Sequence, residues 1–205
     1  FMYKKLWEAS NQLKNNSNLF KFEKFISNKY NKNFSKDFEK IHKWSVSNSY
    51  DFWNSVWDFT SVKGAKNNQK PKKSSKFYKN IFLPKSKLNF AENLLPKNNN
   101  DKAITFISEN GYRETKNWKN LNSNVKNISS FLKKLKIKSK DRVAAYMPNI
   151  PETVEAFLGT VAIGSIWSSC SPDFGINGVV ERFSQIKPKI LFVTNEYFYN
   201  GKRIN

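Results

Sequence analysis

A run of small polar side chains, Ser-Ser-Cys-Ser at 168–171, is followed by a turn at 172–175. The thiol of Cys170 could act as a nucleophile if a general base lay beside it. His42 is the only histidine, and nothing in the sequence links it to Cys170. The serines likewise lack a partner base. We therefore predict that Cys170 is a small buried residue. Separately, we predict no catalytic residue and no metal ligand in this chain.

Small side chains also let a bound molecule approach the backbone closely. The stretch 163–178 lies between two apolar segments, 142–147 and 190–194, and a segment of helical periodicity separates it from each. This order of strands and helices requires crossovers and a parallel sheet. We predict parallel strands at about 142–147, 165–170 and 189–194. Ligands of such sheets bind beyond the carboxyl ends of the strands, so we expect the site at the turn after residue 170.

The first 62 residues favour a helical cap, with helices within 17–61. Three segments rich in aromatic residues show helical periodicity: 17–30, a segment after Ser35, and a segment starting at Ser49. Ser17 and Ser35 are candidate N-caps. We expect the aromatic side chains to pack rather than to form a ligand cage, and we expect the cap to need a larger body to bury against.

The remaining elements follow from turn signals and periodicity. Residues 63–87 are polar and rich in lysine, and we predict a linker or exposed loop. Residues 88–95 predict a short helix. Segments 103–108 and 112–116 predict a hairpin with an Asn110-Gly111 turn. A long amphipathic helix should begin at Trp118, and Asn149 is a candidate cap for the helix after the first parallel strand.

The predicted fold class is α/β: residues 88–205 form the start of a parallel-sheet subdomain preceded by the helical cap. A sheet of three parallel strands with bare edges is unusual as a complete domain. We therefore expect the chain to be truncated. One cysteine excludes an internal disulfide, and no apolar run reaches the roughly 18 residues of a membrane span. We expect a soluble cytoplasmic protein without a membrane partner; the oligomeric state is left open.

The net charge of +20 raises the question of a nucleic-acid partner. Residues 141–205 hold six basic and six acidic side chains, so the whole excess lies in residues 1–140. Only four of the 36 basic residues are arginine, whereas base and phosphate recognition favours the guanidinium group. We expect a solvated lysine surface and no specific nucleic-acid partner.

Several strings are specific enough to indicate a family. They are IHKWSV (41–46), FWNSVWDF (52–59), LNFAENLL (88–95), DRVAAYMPNIPE (141–152), IGSIWSSCSPDFG (163–175) and YNGK (199–202). In order and spacing they resemble the beginning of the acetoacetyl-CoA synthetase family, a branch of the acyl-adenylate-forming ligases that include the acetyl-CoA synthetases.

The resemblance implies that the full-length protein converts ATP, acetoacetate and coenzyme A to acetoacetyl-CoA, AMP and diphosphate through an acyl-adenylate. It implies ATP, coenzyme A and Mg²⁺ as cofactors and small molecules as binding partners. The phosphate loop, the adenylate segment and the catalytic lysine of the family do not occur among these 205 residues. We therefore expect the ATP and Mg²⁺ sites outside this chain, and the chain alone to be inactive.

The resemblance also assigns candidate site residues, most of them on the coenzyme A side. The turn Tyr199, Asn200, Gly201 and Lys202 stands where acetyl-CoA synthetases contact the nucleotide end of coenzyme A. Asp173 and Phe174 stand near the thiol tunnel, and Trp167 could shape the substrate site or pack in the core. Two alternatives stay open: another short-chain acyl-CoA synthetase, or a non-catalytic relic that binds coenzyme A or a polyanion.

Overall fold

The structure, a computed structural model, describes residues 6–204. No helix within those residues is long and apolar enough to cross a membrane. The chain divides into two compact units, with the division after Leu88.

The described part of the first unit contains four α-helices: α1 (Asn11–Asn16), α2 (Asn18–Tyr30), α3 (Phe38–Ser47) and α4 (Ser49–Phe59). Ser17 caps α2 as predicted, since its hydroxyl accepts a hydrogen bond from the Phe20 N–H at 3.1 Å. The prediction for Ser35 is wrong. Ser35 lies in a turn with a positive φ of 55°, and the carboxylate of Asp37 caps α3 by accepting from the Glu39 N–H at 2.9 Å.

The aromatic side chains of these helices pack against one another. Five buried residues form the cluster, and the ring of Phe22 lies 5.2 Å from that of Phe59 and 5.9 Å from that of Phe52, both edge-on. Edge-on contacts of this kind stabilise a core beyond the burial of apolar area. The unit therefore has an apolar core of its own, made of Phe22, Ile26, Phe34, Ile41 and Trp44.

The segment 63–87 contains some paired backbone. Strand β1 (Gly64–Ala65) pairs antiparallel with β2 (Lys87–Leu88), and Lys72 forms an isolated bridge with Ile81. One turn of 3₁₀-helix covers Phe77–Lys79. Residues 72–79 are exposed. The segment thus lies largely at the surface, and the short β1–β2 ladder joins its two ends.

The second unit begins with α5 (Phe90–Leu94), the hairpin of β3 (Lys102–Ile107) and β4 (Arg113–Asn117), and the long helix α6 (Trp118–Lys134). These elements confirm the sequence prediction. The hairpin turns at Gly111, whose φ of +82° suits glycine because it has no Cβ to clash.

The parallel sheet consists of β5 (Arg142–Tyr146), β6 (Ile166–Cys170) and β7 (Ile190–Val193). Both pairings, β5 with β6 and β5 with β7, are parallel, as predicted. The order in space is β6-β5-β7, so the strand that comes first in sequence lies in the centre. The crossovers are α7 (Pro151–Ala162) and α8 (Ile176–Ile186).

Alternate residues of β5 face opposite layers of helices. Val143 belongs to a cluster with Leu132 of α6, whereas Ala144 belongs to a cluster with Phe183 of α8. Successive side chains of a strand point to opposite faces, and helices cover both faces of β5. Residues on both faces are therefore apolar, so the strand is a continuous apolar run in the sequence. The α/β class with a parallel sheet is confirmed.

Two local details differ from the sequence prediction. Asn149 does not cap α7: the N-cap is Ile150, which makes no side-chain capping bond, and Pro151 occupies the first turn. After β7 the chain forms an unpredicted hairpin, β8 (Tyr197–Tyr199) with β9 (Lys202–Ile204).

An ion cluster joins the β3–β4 hairpin to α7. The ammonium of Lys116 lies 3.0 Å from carboxylate oxygens of both Glu152 and Glu155, and 3.6 Å from Glu114. Desolvation disfavours the charged ammonium, but hydrogen bonds to Glu155 and Glu152 outweigh it and raise the pKa of Lys116 well above its ordinary value. The amide of Asn124 donates to Glu155 at 2.8 Å.

Candidate functional site

A groove of about 590 Å³ lies beyond the carboxyl ends of all three parallel strands. Each strand contributes the segment that follows it: 148–150 after β5, 171–173 after β6 and 196–199 after β7. The tip of the β3–β4 hairpin, within 106–112, lines the remaining side. The groove is therefore at the position where ligands of open α/β sheets bind, near the point at which the strand order reverses.

Tyr146, the last residue of β5, holds the turn that follows β6. Its hydroxyl lies 2.8 Å from the carbonyl oxygen of Pro172 and 3.0 Å from that of Phe174, so one donor is shared between two acceptors. In register, Tyr146 stands opposite Cys170 on β6 and Val193 on β7. The central strand thereby fixes the backbone of the turn that lines the groove.

Side chains of the same turn are also held. The hydroxyl of Ser171 donates to the carboxylate of Asp173 at 2.9 Å. The guanidinium of Arg182 on α8 lies 4.4 Å from the centre of the Phe174 ring, a cation–π distance. The orientation of this turn is therefore determined by β5, by α8 and by its own hydroxyl.

Strand β8 lines the groove, and β9 pairs with it without contributing a described lining residue. Tyr199 pairs with Lys202 across a two-residue loop in which Asn200 has φ of 50° and Gly201 has φ of 71°. Positive φ at both loop residues defines the tight hairpin turn for which Asn-Gly is the preferred sequence. The Gly201 N–H donates to the carboxylate of Glu109 at 3.2 Å, which links this turn to the tip of the β3–β4 hairpin.

The charge inside the groove is negative. Glu109, Asp173 and Glu196 line it, and none of the described lining residues is a lysine or an arginine. Arg203 forms an ion pair with Glu196, which offsets one carboxylate. Desolvation raises the pKa of the Tyr197 phenol, and the charge of Asp173 adds to that rise. The groove thus offers aromatic and hydrogen-bonding surfaces rather than cations.

The structure brings only some of the predicted site residues together. Tyr199 and Asp173 line the groove, 26 positions apart in sequence. Asn200 and Gly201 form the hairpin loop beside it, and the exposed side chain of Lys202 is outside the lining.

Two other predicted residues are not among those that line the groove. Phe174 is 39% exposed, with Arg182 over its ring. Trp167 packs between Phe157 and Phe192 with ring centres 6.0 and 6.3 Å away, which is the core-packing alternative. Cys170 is buried beside Phe183, as predicted.

Sequence reasoning missed three contributors: Tyr146, Glu109 and Tyr197. For Tyr146 a signal was present, because a polar aromatic residue at the carboxyl end of a predicted parallel strand lies at the edge where ligands bind. For Glu109 no local signal exists, since its role depends on a hairpin 92 residues later in the chain.

Comparison with known proteins defines the class. The family described as AMP-binding enzyme matches residues 92–203, more than half of the chain. The chain therefore belongs to the AMP-binding enzyme family.

Within that family the chain is similar to several acetoacetyl-CoA synthetases. The protein of Rhizobium meliloti (strain 1021) is 38% identical over 198 residues, which are 97% of this chain and 30% of the relative. The Xenopus tropicalis protein is 38% identical over 170 residues, or 81% of this chain and 25% of the relative. A malonamoyl-CoA synthetase of Penicillium aethiopicum is 32% identical over 205 residues, 96% of this chain and 28% of its own length. These matches confirm the resemblance drawn from the sequence strings.

A solved structure agrees with these matches. Acetoacetyl-CoA synthetase from Streptomyces lividans superimposes with a TM-score of 0.90 at 27% identity, covering 99% of this chain and 32% of that one. The chain thus spans about a third or less of the length of the relatives it matches.

Proposed function

We propose that the protein carrying this chain is an acetoacetate–CoA ligase, which joins acetoacetate to coenzyme A at the expense of ATP. The observation that carries the proposal is 38% identity to an acetoacetyl-CoA synthetase over 97% of the chain. The groove beyond the parallel strands supports it, because such a position suits a large nucleotide-containing ligand.

In this proposal the described residues serve the second half-reaction, in which the thiol of coenzyme A displaces AMP from the acyl-adenylate. The hairpin loop 199–202 and the turn 172–174 hold coenzyme A. Trp167 packs in the core beneath these turns, so in this proposal it affects the substrate site only indirectly. ATP and Mg²⁺ are assigned no residue of this chain.

The chemistry of the groove fits coenzyme A with one condition. Tyr199 and the other aromatic side chains can stack on the adenine base or contact the neutral pantetheine arm. The three carboxylates would repel phosphates inside the groove. The phosphates must therefore lie outside it, near the ammonium of Lys202, since Arg203 is already paired with Glu196.

We also propose a division of the chain that follows the sequence. Residues 1–62 form the helical cap, 63–87 connect it, and the AMP-binding domain starts at 88. The start of the family match at residue 92 supports the last boundary. We propose the cytoplasm as the site of action, because ATP and coenzyme A are metabolites of that compartment.

A second candidate function is ligation of a different short carboxylic acid. The similarity to a malonamoyl-CoA synthetase supports it, since that relative is named for another acid. No described residue is assigned a contact that would distinguish one substrate acid from another. The substrate assignment therefore rests on the relatives alone.

The test uses the full-length protein and compares acids. Acetoacetate, acetate and malonamate are each supplied with ATP, Mg²⁺ and coenzyme A, and formation of the thioester is followed. We expect the highest kcat/KM with acetoacetate. A higher value with another acid selects the second candidate, and coenzyme A binding without thioester formation from any acid selects the non-catalytic alternative.

A further inference from the structure

The segment 63–87 has an unusual charge composition. It contains nine lysines and no aspartate, glutamate or arginine. Eight of these lysines are exposed, and only Lys66 is half-buried, in an ion pair with Asp58. They are Lys63, Lys66, Lys70, Lys72, Lys73, Lys76, Lys79, Lys85 and Lys87.

Within this segment, residues 72–81 form a closed loop, called here the basic loop. Its ends are joined by two hydrogen bonds of 2.9 Å between the backbones of Lys72 and Ile81. Inside it, the Ser74 N–H donates to the side-chain oxygen of Asn80 at 2.7 Å. These bonds give the loop a defined shape, so little ordering entropy is lost when it binds a partner.

The tip of the basic loop exposes two adjacent aromatic rings. Phe77 is 80% exposed and Tyr78 is 75% exposed, and both lie on the 3₁₀ turn between Lys76 and Lys79. Exposed aromatic side chains surrounded by lysines combine an apolar contact with a cationic rim, the composition of segments that lie at a membrane surface.

We propose that the basic loop binds the surface of an anionic phospholipid bilayer, with Phe77 and Tyr78 at the headgroup level and the lysines on the lipid phosphates. Aromatic rings favour that interface, and each lysine near an anionic leaflet contributes to attraction. The absence of arginine from the segment disfavours a nucleic-acid partner, which guanidinium groups recognise better. The surface is independent of the proposed ligase activity, and it departs from the expectation from sequence of a protein without a membrane partner.

The experiment is co-sedimentation of the full-length protein with two kinds of vesicle. One contains phosphatidylcholine alone, and the other contains equal parts of phosphatidylcholine and phosphatidylserine. Binding is expected only to the anionic vesicles. The double variant Lys76→Gln with Lys79→Gln should weaken it about 25-fold, since loss of one lysine costs about fivefold. Phe77→Ser with Tyr78→Ser leaves the charge unchanged and should weaken binding about tenfold.

Lys32→Gln with Lys40→Gln is the matched control, because it removes two exposed lysines of the same unit outside the loop. It should leave vesicle binding within about twofold of the parent chain, since screening limits distant charges. Equal weakening by this control overturns the proposal in favour of non-specific charge. Equal binding to both vesicle types also overturns it, as does tighter binding to a single-stranded oligonucleotide than to anionic vesicles.

Discussion

The hydroxyl of Tyr146 lies 2.8 Å from the carbonyl oxygen of Pro172, which connects the end of the central strand to the turn after the neighbouring strand. The two residues are 26 positions apart, and a helix and a strand separate them in sequence. The hydrogen bond fixes the turn relative to the sheet. The position of the groove wall therefore does not depend only on the conformational preferences of the turn itself.

Tyr146→Phe should lower the free energy of unfolding by about 1 kcal/mol, the net contribution of a typical hydrogen bond. In the full-length enzyme it should also raise KM for coenzyme A, because the turn at 172–174 loses its fixed position. Chemical denaturation and steady-state kinetics measure the two effects. Tyr78→Phe, which removes an exposed hydroxyl, is the control and should change neither; a loss of stability without any change in KM would contradict the role assigned to the turn.

Lys202→Ala tests the proposed phosphate contact. A charge-assisted contact contributes about 1.5 to 3 kcal/mol, so KM for coenzyme A should rise roughly tenfold to a hundredfold. Acetoacetate-dependent exchange of diphosphate into ATP should be nearly unchanged, because exchange reports only the adenylation step. Lys126→Ala, an exposed lysine on α6, is the control. An equal fall in exchange and thioester formation would indicate structural damage instead.

Lys116→Met should be strongly destabilising, by about 3 to 5 kcal/mol, because it leaves the buried carboxylate of Glu155 without its cation. Glu155 has a side chain only 6% exposed. Lys97→Met breaks an exposed pair with Asp101 and should cost less than about 1 kcal/mol. Urea denaturation of both variants makes the comparison. Similar costs for the two would show that Glu155 is better solvated than the structure indicates.

Asp58 contributes to the acid sensitivity of the first unit. Hydrogen bonding to Lys66, and then to Lys29, lowers the pKa of Asp58 below its ordinary value despite some desolvation. Because folding lowers this pKa, the stabilisation is complete above the unfolded value of about 3.9 and is lost as the pH falls through the folded value.

Asp58→Asn should therefore flatten the decline of stability in that acidic window, as measured by denaturation at a series of pH values. Glu181→Gln removes an exposed carboxylate and serves as control. An unchanged acid slope in Asp58→Asn would show that the two lysines do not stabilise the ionised form.

Local sequence signals predicted most of the elements. Apolar runs and helical periodicity predicted the three parallel strands and their crossover helices, because both patterns report which face of an element is buried. Asn110-Gly111 predicted one hairpin for a backbone reason, since such a turn needs positive φ. The same signal at Asn200-Gly201 marks the second hairpin, which was missed because its short strands carry no alternating pattern.

The tertiary structure alone decided the order of the strands and the composition of the groove. Periodicity does not indicate which of β5, β6 and β7 is central, because strand pairing is a long-range choice. The link from Tyr146 to Pro172, the three carboxylates of the groove and the core position of Trp167 arise from segments far apart in sequence. A residue's type can suggest chemistry, but its neighbours across the sheet determine whether it lines the site or packs beneath it.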